Sequence, residues 1–411
     1  MPDITILQQP NQLHPIYNPA WYVVSGIHSA SGNYKLIARI TDANNNTIKT
    51  LKQPTAPDSP TATCFDVHRI LESYVTHTID LSLTKIDRAL NNFIPYYIEF
   101  GEEYGTPPTE HFDDIYSAEK FGLNIALSPK DFKGWSMSSY ISGGGSRKFL
   151  NKYKGARKVI SSNKAFAYFC QDLNTASGID GIAVIAYNKG GSVVQTSTIL
   201  NSYQGMQDDE MVLYCPAGVS NLNLIPTSQL SGATLGNVIP STTAYYYLNI
   251  IWDGALHQYG EFIRYDIVDD CSKYPNYTLY FLGQYGNIEM WNFNRKSEKT
   301  SQISRSTYKA GLGRFISPAV YGYDLSDRQT TQFDTLVTDM VTLNSDNLSE
   351  GELGFLQELV QSPQVWSLED GSLIPVIVRN PNFNLKQKVN DKIFNLTLDI
   401  EYSSALELQR Y

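Results

Sequence analysis

Tyr277-Thr278-Leu279-Tyr280-Phe281-Leu282, then Gly283-Gln284-Tyr285-Gly286-Asn287, then Ile288-Glu289-Met290-Trp291-Asn292-Phe293 run on without a break. The outer two segments are aromatic and aliphatic runs bounded by turn formers, which is how strands read. The middle five residues hold two glycines, which enter the left-handed conformations of a hairpin loop at no steric cost. The stretch therefore predicts a β-hairpin with a glycine-bearing loop. Upstream, 245–252 is a long apolar strand, and Asp253-Gly254 is a turn after it. Downstream, the pattern changes after Asp334. Ser349 with Glu352 three residues on fits a capping box, and Leu353, Phe355, Leu356, Leu359 and Val360 follow at helical spacing. Pro363 ends that helix, and 374–378 and 393–402 read as closing strands.

Further upstream the text stays strand-like. Segments 122–127, 165–170, 182–187, 192–199 and 210–215 are short strands, with Gly190-Gly191 between two of them as a hairpin signal. Trp21-Tyr22-Val23-Val24 and the alternating 34–40 are strands, and Asp42-Ala43-Asn44-Asn45-Asn46 is a turn. Pro54, Pro57 and Pro60 mark a loop, because proline cannot donate to a ladder. Residues 65–74 have apolar spacing that predicts a short helix, and Pro95-Tyr96-Tyr97-Ile98-Glu99-Phe100 is a further strand. Gly105-Thr106-Pro107-Pro108-Thr109 reads as a linker. The fold class expected is mainly β, with two or three β-sandwich or barrel-like domains and a few short helices. The expected division is an N-terminal arm over 1–17, an immunoglobulin- or fibronectin-like sandwich over 18–104, a second sandwich over 105–255 and a C-terminal β domain over 256–411 with one helix near 349–361. No repeat of about 20–50 residues argues for a solenoid or propeller.

Composition agrees with this class. The chain has 411 residues, of which 42% are hydrophobic and only 18% charged, so Asn, Ser, Thr, Gln and Tyr must cover much of its surface. The 28 Tyr, 17 Phe and 5 Trp suit pleated half-buried surfaces and subunit contacts. A net charge of −9 argues against nucleic acid as the main ligand. The densest basic strip, Arg147, Lys148, Lys152, Lys154, Arg157 and Lys158, reads as a solvated loop and edge strand. Cys64, Cys170, Cys215 and Cys271 are scattered, without a C-x-x-C pair, and are expected reduced. No leader and no apolar run of about 18 residues is read, so no membrane partner is expected.

Candidate chemistry is sparse. His14, His28, His68, His77, His111 and His257 form no H-x-H or H-E-x-x-H pattern, and no EF-hand spacing occurs. No G-x-S-x-G elbow is present. Gly143-Gly144-Gly145-Ser146-Arg147-Lys148 departs from the order of a phosphate loop and reads as a flexible hairpin tip. Glycoside hydrolysis needs two carboxylates roughly 5–10 Å apart. Glu99 with Glu102 or Glu103, beside Tyr96, Tyr97 and Tyr104, is the best pair available, and Asp266, Asp269 and Asp270 beside Tyr265 is the next. Solvated turn carboxylates explain both sets more simply. Trp21, Trp135, Trp252, Trp291 and Trp366 are spread as core anchors would be. No catalytic residue, cofactor or metal site is assigned.

The order of motifs carries a resemblance. Asn18-Pro19-Ala20-Trp21-Tyr22-Val23-Val24 is followed by Glu99-Phe100-Gly101-Glu102-Glu103-Tyr104-Gly105 and by Arg147-Lys148-Phe149-Leu150. Cys271-Ser272-Lys273-Tyr274, the glycine-aromatic hairpin and Ser304-Arg305-Ser306-Thr307-Tyr308 come next. This succession resembles virion and tail-associated structural proteins of phages and prophages of Bacteroidetes hosts; Gly283 departs from the Asn of that group. The resemblance implies a non-enzymatic virion component of the tail, neck or baseplate, made in the bacterial host cytoplasm. Its partners would be other virion proteins and copies of itself in a homo-oligomer or ring. The alternatives are a glycan-binding adhesin contacting a host-surface glycan and, behind it, a glycan-degrading enzyme. Because loops carry contacts, the expected protein-interaction residues are Tyr285, Asn287 and Trp291 on the hairpin.

Overall fold

The computed structural model describes residues 3–141, 147–171, 178–203, 207–232, 237–252, 258–268, 273–379, 395–404 and 406–407. Among the described residues strands hold 49% and helices 12%, so the mainly β class with few short helices holds. Packing divides the chain into two compact units: Met1–Asp270 with Leu282–Glu289, and Cys271–Phe281 with Met290–Tyr411. Among the described residues no helix is long and apolar enough to cross a membrane.

The first unit begins as a β-sandwich. One sheet orders Ile4–Gln8, Trp21–Gly26 and Ala62–Asp66; the other orders Leu13–Pro15, Lys120–Leu123, Phe93–Tyr104, Lys35–Asp42 and Thr47–Gln53, with Thr109–Tyr116 also on Phe93–Tyr104. Alternation explains the core, since successive strand side chains point to opposite faces. Tyr22, Val24 and Phe65 from the first sheet meet Leu36, Ala38, Ile40, Tyr96, Ile98 and Phe100 from the second in one buried cluster. Inside it the Tyr22 and Tyr96 hydroxyls pair at 3.1 Å. The same unit holds a sheet ordered Arg157–Val159, Gln258–Ile267, Tyr245–Trp252, Ile179–Tyr187, Val193–Leu200 and Leu230–Ser231. A three-stranded sheet of Phe166–Cys170, Val212–Pro216 and Asp87–Arg88 completes it. The thiols of Cys170 and Cys215 are free and buried, and burial pushes both above the ordinary thiol range.

Several expected boundaries fall elsewhere. The predicted arm over 1–17 is two strands: Ile4–Gln8 pairs with Trp21–Gly26, and Leu13–Pro15 runs parallel to Lys120–Leu123. Ile4, Leu13 and Ile16 hold it down because they belong to the core. The predicted linker is a tight turn, since Tyr104 pairs directly with Thr109 and Gly105 turns the chain at φ 102°. Asp87–Arg88, from the expected first domain, pairs with Val212–Pro216 from the second. Gln258–Ile267, expected in the third, pairs along Tyr245–Trp252. The predicted helix over 65–74 shortens to His68–Leu71 and a 3₁₀ turn, with Phe65 taken by the strand Ala62–Asp66.

The second unit is one large sheet ordered Ile288–Phe293, Tyr277–Leu282, Val365–Glu369, Ser372–Val378, Thr397–Tyr402, Thr330–Asn344 and Glu298–Lys309, with Leu406–Glu407 also on Thr330–Asn344. The hairpin strands lie where the sequence puts them. The helix Glu350–Gln361 has the predicted capping box: Ser349 N donates to Glu352 Oε2 at 2.8 Å and Glu352 N to Ser349 Oγ at 3.3 Å. Phe355 of this helix packs against Phe281 and Trp291. No change of pattern occurs at Asp334, which lies inside the fifteen-residue strand Thr330–Asn344.

Candidate functional site

The hairpin loop expected to project is instead built into the first unit. Asn287 is 4% exposed, and its Nδ2 donates to Glu289 Oε1 at 2.9 Å. Glu289 accepts Arg157 Nε at 2.9 Å and Nη2 at 2.5 Å, a bidentate pair with both side chains buried. Burial works against the charge of Arg157, but the Glu289 carboxylate outweighs it and holds the guanidinium pKa above its ordinary value. Gly286 sits at φ +72°, where a Cβ would collide with the Asn124 carbonyl. Its own carbonyl accepts Asn92 Nδ2 at 2.6 Å. Trp291, 4% exposed, stacks obliquely on Phe355. Tyr285 alone reaches a surface, half-buried beside Tyr140 at 6.2 Å. The three residues therefore form no common contact surface. A glycine turn has the same sequence signature whether it meets water or a pocket.

The basic strip divides, its arginines departing from the expected solvated edge. Arg147 and Arg157 are buried, Lys154 reaches Glu261 and Asn151, and Lys152 donates to Gln284 Oε1 at 2.9 Å. The two arginines are structural, whereas Lys152 and Lys154 are exposed and Arg157–Val159 is an edge strand of its sheet. Gly143, Gly144, Gly145 and Ser146 lie outside the described residues, as do Asp253, Gly254, His257, Asp269, Asp270, Cys271 and Ser272.

The candidate carboxylates part company. Glu99 and Glu102 are three apart on one strand, so they take opposite faces. Glu99 accepts Arg39 Nη1 at 2.8 Å and the Tyr116 hydroxyl at 3.0 Å. Glu103, on the face of Glu99, is held by Lys52 and Lys35, and Lys52 lowers its pKa. Glu102 turns toward the inter-sheet core, where His28 and Tyr34 meet it. Asp266 accepts Arg264 Nε at 2.7 Å.

A long exposed hairpin that no sequence motif announces stands out among the described residues. Glu298–Lys309 pairs antiparallel with Thr330–Asn344, from Glu298 opposite Thr342 to Lys309 opposite Thr330. Twelve residues at the usual strand rise extend roughly 40 Å. The sheet supports only its base: Met340 to Asn344 pair with Thr397–Tyr402, and Leu336 and Val337 with Leu406–Glu407. Beyond that, among the described residues, 330–335 pair only with 305–309. A smaller hairpin, Arg314–Ser317 with Val320–Gly322, forms the end. Every residue of Glu298–Lys309 is exposed. Phe315 is 72% exposed, and Ile316, Tyr321, Tyr323 and Leu325 are exposed with it. Local contacts shape this arm: Phe315 packs edge-on to Tyr321 at 5.2 Å, Tyr308 meets Phe333 at 6.1 Å, and Arg314 pairs with Asp324 at 2.6 Å. None of these makes a core.

A two-stranded hairpin is marginal alone in water, and a cluster of exposed apolar side chains marks a contact surface. The arm thus leaves a cluster of large apolar side chains exposed on a two-stranded element. The sequence hint was faint: two Ser/Thr-rich runs flanking Gly311 and Gly313, with little apolar alternation. No protein-family model and no curated protein matches this sequence.

Proposed function

We propose that the protein is a structural subunit of a phage particle, a component of the tail, neck or baseplate, and that it assembles by seating the 298–344 arm on neighbouring subunits. The single observation that carries the assembly half is the arm itself, an all-exposed strand ending in Phe315, Ile316, Tyr321, Tyr323 and Leu325. The phage half rests on the order of motifs described above. Low charge and abundant tyrosine favour broad protein contacts over small-molecule chemistry. Light scattering and negative-stain imaging test the reading, comparing the full chain with a variant in which 311–328 is replaced by a two-residue Asn-Gly turn. Rings or defined oligomers of the full chain, lost in the variant, support it. A monomer that recruits no particle protein from its own genomic neighbourhood overturns it.

A second reading, glycan binding, has its own observation. Trp135, Tyr140 and Tyr285 line an open cleft of about 450 Å³ in the first unit, together with Lys130, Lys148 and Lys152. Aromatic faces beside hydrogen-bonding tips suit sugar rings. Glycan-array binding that is lost on Trp135→Ala would favour it.

A further inference from the structure

We propose that Asp3, His28 and Glu102 form a binding site for a divalent transition metal of the zinc class. One donor atom from each lies within 4.8 Å of the others. They come from three separate places on the chain: just before Ile4–Gln8, just after Trp21–Gly26, and near the end of Phe93–Tyr104. The backbone fixes their meeting. Ile4 is opposite Gly26 in the first sheet, and Ile27 N donates to the Asp3 carbonyl at 3.1 Å, which brings Asp3 beside His28.

Two of the three donors are also oriented by neighbours. Glu102 is 2% exposed; its Oε1 accepts the Tyr34 hydroxyl at 2.6 Å, and its Oε2 lies 2.6 Å from His28 Nδ1. The His28 ring stacks on Tyr104 at 4.5 Å, and Tyr104 stacks in turn on His111 at 4.4 Å. Gly26 leaves the room the group needs, since a Cβ there would collide with Glu102 Oε1 and the Tyr34 hydroxyl.

The charge balance points the same way. Two carboxylates are brought together, one of them buried, and among the described residues no Lys or Arg pairs with either. A buried carboxylate is held in nature by an opposite charge or a metal. One imidazole nitrogen and two carboxylate oxygens are a donor set that zinc and its neighbours accept, with remaining positions open to water. Tyr34 would serve as the outer hydrogen bond that fixes the carboxylate. Coordination would take the place of the direct contact between His28 and Glu102, and would tie the segment holding Asp3 to the sandwich.

The test uses untagged full-length protein, stripped with EDTA and desalted, then titrated with zinc chloride by calorimetry, with thermal unfolding followed in parallel. The expected result is about one ion per chain and a rise in the unfolding temperature that EDTA reverses. Asp3→Asn and His28→Gln are each expected to weaken zinc by about tenfold or more. Asp3 is half-buried near the chain end, so Asp3→Asn decides the matter should His28→Gln not fold. No saturable binding up to millimolar zinc overturns the proposal, and so does binding that Asp3→Asn leaves unchanged. A metal-free protein that still assembles through its arm leaves the proposed function standing while this site falls.

Discussion

Two strands show opposite economies in this chain. Trp21–Gly26 alternates, with Tyr22 and Val24 fully buried between two sheets. Glu298–Lys309 alternates in nothing and is exposed from end to end. Fully burying a large apolar side chain stabilises by about 1.5–3 kcal/mol. The sandwich collects that from each inward residue, whereas Phe315, Ile316, Tyr321 and Tyr323 collect almost none of it within their own unit. The same residue types thus serve folding in one region and are left available for association in the other. Substitutions in the two regions should therefore separate stability from assembly.

The largest effect is expected in the sandwich. Phe100 is fully buried in its core, so Phe100→Ala should cost about 3–5 kcal/mol in urea unfolding. A loss below about 1 kcal/mol would mean that the two sheets do not share the core described. Glu289→Ala should cost a similar amount, about 3–5 kcal/mol, because it strands the buried Arg157 charge. Replacing both partners by Leu should recover most of that loss, and failure to recover would mark the pair as more than charge compensation. Next comes His14, which burial drives down to about 4, with the Lys120 charge a smaller cause in the same direction. Its folded pKa lies below the unfolded value of about 6.5, so the unfolded state binds the extra proton between them. Stability is complete above about pH 6.5 and falls by roughly 2–3 kcal/mol as pH drops toward 4. His14→Gln should flatten that slope in unfolding measured at pH 7 and at pH 4.5.

Much of this contrast was legible in the residues. The hairpin strands 277–282 and 288–293 and the Ser349–Glu352 box fall where the sequence puts them, because each is a local signal with local consequences. The turn at Asn45, with φ 60°, and the Gly190-Gly191 hairpin belong to the same class. Long-range pairing was not legible. Leu13–Pro15 beside Lys120–Leu123, and Asp87–Arg88 beside Val212–Pro216, involve too few residues to show a period. The arm was missed because neither face of Glu298–Lys309 needs to be apolar when neither is buried. Asp3, His28 and Glu102 share no spacing rule at all, and only the register of the sheets brings them together. The loop at Gly286 was legible as a turn, but not as a turn inserted against Asn124 and Asn92.

A smaller effect is expected at the helix cap. Ser349→Ala removes the acceptor of Glu352 N and should cost about 1 kcal/mol in the second unit, read by chemical unfolding. Ser349→Asp should restore it, since aspartate caps as well as serine.

The smallest effect on stability is expected where the effect on assembly is greatest. Phe315→Ser with Tyr321→Ser removes two exposed rings that pack edge-on to each other at the end of the arm. Surface changes of this kind usually shift stability by no more than about 0.5 kcal/mol. The double variant should therefore unfold at the same urea concentration as the parent while losing oligomer or particle association in light scattering. Buried aromatic anchors dominate association energy, so two lost rings are enough to abolish a weak repeated contact. A variant that unfolds earlier by several kcal/mol would show that the arm is a folding element of its own unit, and the division between the two regions would fail. A variant that keeps both stability and association would leave the arm without a role and move the contact surface to the cleft beside Trp135 and Tyr285.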